Sequence, residues 1–220
     1  MSTAAVSLDQ RLARLNAAFR SKAPAEQLDL FDRTLAHLSR DGVSDRALRE
    51  GDVLPPFELP DQLGAPVQGV DLLKAGNLVI TFYRGAWCPY CQEELRALQA
   101  HTSDLRRLGA SLVAISPQTP DNSLNLAQKV MLDYRVLSDR GNHVAGLFGI
   151  DYQIPTEWFE LMQHLGVDLA AFNGDASARL PIPATYVVDR HGVIRFAFIE
   201  PNFTRRCEPA TVLEVLRGLA

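Results

Sequence analysis

The sequence predicts an α/β architecture: a mixed central sheet flanked by helices over residues 51–220, preceded by a helical extension over residues 1–50. Three observations carry this. Short apolar runs alternate with runs of helical period along the chain, the pattern of strands covered by helices. Near the C-terminus, residues 185–188 and 193–199 form two apolar strands joined by Asp189-Arg190-His191-Gly192, the spacing and turn chemistry of a β-hairpin. The apolar strand 78–83 leads directly into Trp87-Cys88-Pro89-Tyr90-Cys91 and then into a helical run over 92–98.

In the extension, Leu8, Leu12, Leu15 and Phe19 recur at helical spacing, as do Leu28, Phe31, Leu35 and Leu38. Pro24 separates the two helices, and Asp41-Gly42 is a stop signal for the second. Their narrow apolar stripes cannot form a core alone, so they must pack on the main domain or on a second copy of the chain, as in a homodimer. A linker with Gly51, Pro55 and Pro56 follows.

Gly109 then precedes a strand over 111–116. A helix follows over 122–132, with Leu124, Ala127, Val130 and Met131 on its apolar side, then a short strand over 135–137 and a short helix over 144–148. Residues 155–180 read as an insertion whose helix starts with Thr156 as cap, lying over the site as a lid or decorating the periphery. A last helix over 208–219 presents Val212, Val215, Leu216 and Leu219 on one side.

Composition narrows the function. A net charge of −4 over 220 residues argues against nucleic-acid binding, and no apolar run is long enough to cross a bilayer. Residues 1–7 have neither a basic start nor an apolar core, so no leader is expected and the expected compartment is the cytoplasm. Three cysteines make no disulfide framework.

The informative thiols are Cys88 and Cys91. A thiol at a helix start faces unpaired N–H groups and the positive end of the helix dipole, which favours its thiolate. Pro89 suits the first helical turn, and Cys91 lies close enough along the helix to form a disulfide with Cys88. A zinc site needs four ligands, whereas the five histidines are dispersed and Cys207 has no partner near it in sequence, so no metal is expected. Cys207 is either incidental or a thiol activated by Arg205 and Arg206. Trp87 and Tyr90 either shape a substrate face or shield the disulfide, and Arg84 is either a surface charge or a cation of the site.

The chain resembles the thioredoxin-like superfamily and, within it, the alkyl hydroperoxide reductase/thiol-specific antioxidant (peroxiredoxin-like) family. The segments that carry the resemblance are 51–61, 82–91, 109–117, 136–139, 182–189 and 192–195, in the expected order. It implies a thioredoxin-like fold, and a peroxidatic Cys88 that becomes a sulfenic acid which Cys91 resolves. It implies a peroxide substrate, a thioredoxin or glutaredoxin-type reductant and no cofactor. In that family a hydroxyl stands three residues before the cysteine and an arginine three residues before the aromatic of the late strand. Here those positions hold Gly85 and Pro183. Trp87 before the CxxC, with Pro183 as a cis-proline facing the disulfide, resembles dithiol-exchange enzymes instead. General thiol–disulfide exchange is therefore the alternative function.

Overall fold

In a computed structural model of the chain, residues 6–40 and 42–219 are described. The expected stop at residues 41–42 and the reading of residues 1–7 fall partly outside them.

The sheet forms around β3 (Asn77–Phe82), with β4 (Ala110–Ser116) and β5 (Arg135–Ser138) parallel to it on one side. On the other side β8 (Ala184–Val188) runs antiparallel to β3, and β9 (Ile194–Ile199) antiparallel to β8, giving the order β5-β4-β3-β8-β9. A β3 covered on both faces explains why residues 78–83 are apolar without alternation. Leu78, Ile80 and Phe82 enter one core, and Val79 and Tyr83 the other.

The first core is closed by α2 (Ala25–Arg40), α3 (Gly69–Lys74), α7 (His143–Leu147) and α8 (Thr156–His164). The second is closed by α1 (Leu8–Arg20), α4 (Pro89–Gln99), α5 (Thr102–Arg107), α6 (Pro120–Lys129) and α10 (Pro209–Gly218). The remaining elements are a small hairpin of β1 (Glu58–Pro60) with β2 (Pro66–Gln68), and β6 (Asp151–Gln153) paired with β7 (Arg179–Pro181) across α9 (Leu169–Asn173).

The N-terminal helices pack on this body. A capping box starts α1: the Gln10 backbone N–H donates to the Ser7 hydroxyl at 3.2 Å, and the Ser7 N–H donates to the Gln10 side chain at 3.3 Å. Leu8 and Leu12 are buried among the α4 and α10 side chains, while Phe31 and Leu38 of α2 enter the opposite core. Of the two surfaces expected for these helices, the main domain takes up their apolar stripes.

Three expectations need correction. Among the described residues no peptide bond is cis, so the bond before Pro183 is trans. The Ile182 N–H donates to the Ile150 carbonyl at 2.7 Å just before the chain enters β8. Pro183 itself is buried, and its carbonyl accepts from the Glu200 N–H at 3.2 Å. Thr156 is the first residue of α8 rather than its cap, since Pro155 holds the cap position and supplies no side-chain bond. The helix expected over 122–132 begins and ends earlier, because Pro120 occupies its first turn and Met131 takes a positive φ of 51°.

Candidate active site

Cys88 is the N-cap of α4, with φ −88° and ψ 113°, and Pro89 opens the first turn. The Cys88 N–H donates to the Gly85 carbonyl at 3.1 Å, and the Cys88 carbonyl accepts the first helical bond from Gln92 N–H at 3.1 Å. Two glutamines pin the approach loop: the Ala86 N–H donates to Gln118 Oε1 at 2.5 Å, and Gln92 Nε2 donates to the Ala86 carbonyl at 2.6 Å. Gly85 has φ +154°, and a Cβ there would collide with the Trp87 indole. The position that holds a hydroxyl in the resembling family is thus filled by the tryptophan ring.

Both thiols are free and buried, Cys88 at 1% and Cys91 at 0% exposure. Neither thiol is exposed, because α4 turns its apolar stripe inward and carries both into the core with Tyr83, Tyr90 and Leu95. Burial alone would raise the Cys88 pKa. The hydrogen bond from the Cys91 thiol and the guanidinium charges of Arg84 and Arg206 outweigh burial and bring it down to about 5. Cys91 moves the opposite way, pushed up by burial and by the hydrogen bond and charge of Cys88. The reduced pair therefore carries its negative charge on Cys88.

Arg84 is not a surface charge. It is 2% exposed, with its guanidinium 3.9 Å from the Phe203 ring centre and 4.9 Å from that of Trp87, both cation–π distances. Its Nε and Nη2 are buried without hydrogen-bond partners. Burying a cation this way is costly unless an anion balances it, and the Cys88 thiolate is the anion whose field it feels. Trp87 is half-buried with its indole nitrogen unpartnered, while the Tyr90 hydroxyl donates to Asn16 Oδ1 of α1 at 3.3 Å. A groove of about 350 Å³ opens beside Trp87, lined also by Ala86, Gln92, Asn122, Leu126 and Phe172.

Three further residues, none of them placed at the dithiol as a candidate site residue from the sequence, complete the site. Glu94, on α4, and Arg206, just before α10, form an ion pair at 2.6 Å with each side chain 1% exposed. Arg206 also reaches Cys91 Sγ at 3.1 Å, and Glu94 accepts from the Thr81 hydroxyl at 3.0 Å. Burial raises the Glu94 pKa to about 7 against the opposing charge of Arg206. Phe203 packs on Phe31, Tyr90 and Trp158 as well as on Arg84. A signal for Glu94 was available: Cys91, Leu95 and Leu98 define the buried stripe of α4, and Glu94 is a charge set within it.

Cys207 does not belong to this group. Arg206 turns away from it, Arg205 pairs with Glu200 at 3.5 Å, and burial pushes the Cys207 thiol up to about 12. An arginine-activated thiol at this position is overturned. Among the described residues no three His, Cys, Asp or Glu side chains gather into a metal-holding set, and no helix is long and apolar enough to cross a membrane.

The family model described as "AhpC/TSA family" matches residues 51–197, most of the chain. The chain belongs to the AhpC/TSA family. Among its relatives, Peroxiredoxin Bcp of Escherichia coli (strain K12) is 31% identical over 103 residues, covering 47% of this chain and 65% of that protein. The chloroplastic Peroxiredoxin Q of Sedum lineare is 28% identical over 149 residues, 68% of each protein. The chain thus spans about two thirds of the length of the curated relatives it matches. Among solved structures, Peroxidoxin BcpB from Mycobacterium tuberculosis superposes with a TM-score of 0.62 at 24% identity, covering 79% of this chain and 99% of that one. The fold is thioredoxin-like, and the family match spans the Cys88–Cys91 dithiol.

Proposed function

We propose that the protein is a thiol-dependent peroxidase. The Cys88 thiolate attacks one oxygen of hydrogen peroxide or an organic hydroperoxide, the O–O bond breaks, and the alcohol or water leaves after taking up a proton. Cys91 condenses with the resulting sulfenic acid, releasing water and closing the Cys88–Cys91 disulfide. A cellular dithiol of thioredoxin or glutaredoxin type then returns both thiols to the reduced state by exchange. The cycle suits a reducing compartment such as the cytoplasm.

The observation that carries this reading is Arg84. A buried guanidinium with two unpartnered nitrogens beside a depressed-pKa thiolate supplies hydrogen bonds for the oxygen of an incoming peroxide. It stands in for the pocket arginine whose position is Pro183 here. Trp87 and Tyr90 act as walls of the pocket and Pro183 as packing behind it. Residues 1–50 serve as a helical extension of a 51–220 domain.

General disulfide exchange loses the ground it had in a cis-proline, since the bond before Pro183 is trans. Stopped-flow mixing of reduced protein with a hydroperoxide tests the proposal: the first step is expected to outrun a free thiolate, Cys88→Ser to abolish it, and Cys91→Ser to permit one turnover without disulfide. A rate equal to that of a free thiolate refutes the peroxidase reading.

A further inference from the structure

Arg206 lies beyond the family-matched segment, yet it touches a reacting sulfur. Four contacts fix its guanidinium. Nε donates to Glu94 Oε2 at 2.6 Å, Nη1 to the carbonyls of Phe203 at 2.5 Å and Arg205 at 2.7 Å, and Nη2 to Cys91 Sγ at 3.1 Å. A buried ion pair is a poor source of stability, because apolar side chains of the same volume do as well or better. Its placement on the second thiol therefore calls for a chemical role. We propose that Arg206 is a catalytic residue of the resolving step, supporting the Cys91 thiolate once Cys88 has been oxidised, and that Glu94 positions it. This rests on the peroxidase reading for its oxidant, but the electrostatics do not depend on which oxidant acts.

The groups that face Cys91 are Cys88 at the start of the same helix, Arg84 and Tyr83 after β3, Glu94 one turn on, Tyr152 of β6, and Arg206. In the reduced protein the Cys88 thiolate holds Cys91 protonated. Oxidation turns Cys88 into a neutral sulfenic acid, so the opposing charge is gone and Arg206 is left facing Cys91. The Cys91 S–H bond then breaks and its sulfur attacks the Cys88 sulfur. An S–S bond forms, the S–O bond breaks, and the departing hydroxide takes the Cys91 proton as water. The Cys91 sulfur is oxidised and the sulfenic sulfur reduced, so the electrons balance. Site charge is thus handed from one thiol to the next and never doubled.

The test titrates Cys91 by thiolate absorbance near 240 nm in Cys88→Ser/Cys207→Ser protein, where a neutral hydroxyl replaces the Cys88 thiolate. Adding Arg206→Met together with Glu94→Gln, which leaves no lone buried charge, is expected to raise the Cys91 midpoint by about one pH unit or more, the effect of losing a charged hydrogen bond. In protein that keeps Cys88, the same pair of substitutions is expected to slow disulfide closure roughly tenfold more than it slows peroxide consumption. Should that variant not fold, Glu94→Gln alone serves: it leaves the Cys91 thiolate as the nearest counter-charge of Arg206, so the midpoint falls. An unchanged midpoint in the variant that folds, or equal slowing of both steps, overturns the proposal. A shifted midpoint in protein that consumes no peroxide refutes the peroxidase reading and, with it, the resolving step, and leaves standing only the support that Arg206 gives the Cys91 thiolate.

Discussion

Replacing Arg84 with methionine separates two contributions to the reactivity of Cys88. With its pKa down at about 5, Cys88 is ~99% thiolate at pH 7, against ~3% for a free cysteine, a gain of about thirtyfold in the reactive species. A less basic thiolate is also a weaker nucleophile. With a Brønsted slope of about 0.4–0.5, the depression of roughly 3.5 units removes about fortyfold of intrinsic reactivity. The two effects cancel to within a factor of two, so ionisation alone does not make Cys88 faster than a free thiol. Any advantage must come from groups that bond to the peroxide oxygen as the O–O bond lengthens, and Arg84 is the cation with unpartnered nitrogens there. In Arg84→Met the Cys88 pKa rises; even a rise of about one unit leaves ~90% thiolate at pH 7. The second-order rate with hydroperoxide should nevertheless fall roughly 10- to 100-fold, the range for one charged hydrogen bond. The assay follows tryptophan fluorescence in a stopped-flow instrument from pH 4 to pH 9, since Trp87 adjoins the thiol. The wild-type rate should be flat above about pH 6 and drop as the pH falls through about 5, where the thiolate is protonated. The reasoning fails if the Arg84→Met rate stays within twofold of wild type at pH 7, or if the deficit vanishes at pH 9, where ionisation is complete in both.

Phe203→Ala removes a 2% exposed ring that packs on three aromatic residues and on Arg84. Denaturant unfolding of this variant should show a loss of about 3–5 kcal/mol, with slower peroxide consumption as Arg84 loses its platform. Cys207→Ser should keep peroxidase turnover within about twofold, because the swap nearly conserves volume and the buried thiol takes no part in the dithiol. Native protein treated with iodoacetamide should leave Cys207 unlabelled, whereas denatured protein should label it fully.

Much of the fold was legible before the structure. The apolar run at 78–83, the hairpin about Asp189-Arg190-His191-Gly192 and the two N-terminal helices all follow from local periodicity and turn chemistry, and the structure contains them. The Cys88–Pro89 helix start was equally local, and so were the thiols. What periodicity could not supply was the company these residues keep. Arg206 lies 115 residues from the sulfur it touches and 112 from Glu94, and no pattern in a single sequence joins such positions. Arg84 stayed open between a surface charge and a cation of the site because Trp87 alone, three residues on, does not bury it, and the Phe203 ring that completes its seat lies far along the chain. The cis bond at Pro183 came with the resemblance to dithiol-exchange enzymes, and the bond here is trans.

Phe203 joins parts of the chain that sequence order keeps apart. On its ring meet Phe31 from the N-terminal helices, Trp158 from the 155–180 insertion, Tyr90 from the dithiol helix and the Arg84 guanidinium. Phe203 and Phe31 both lie outside residues 51–197. A protein trimmed to its family-defining segment would keep both cysteines and all of the sheet but the last two residues of β9, yet would lose the ring on which the Arg84 guanidinium rests. Removing residues 1–50 therefore strips Phe31 from the ring that seats Arg84, so a change in those helices reaches the Cys88 site without altering any residue of the CxxC.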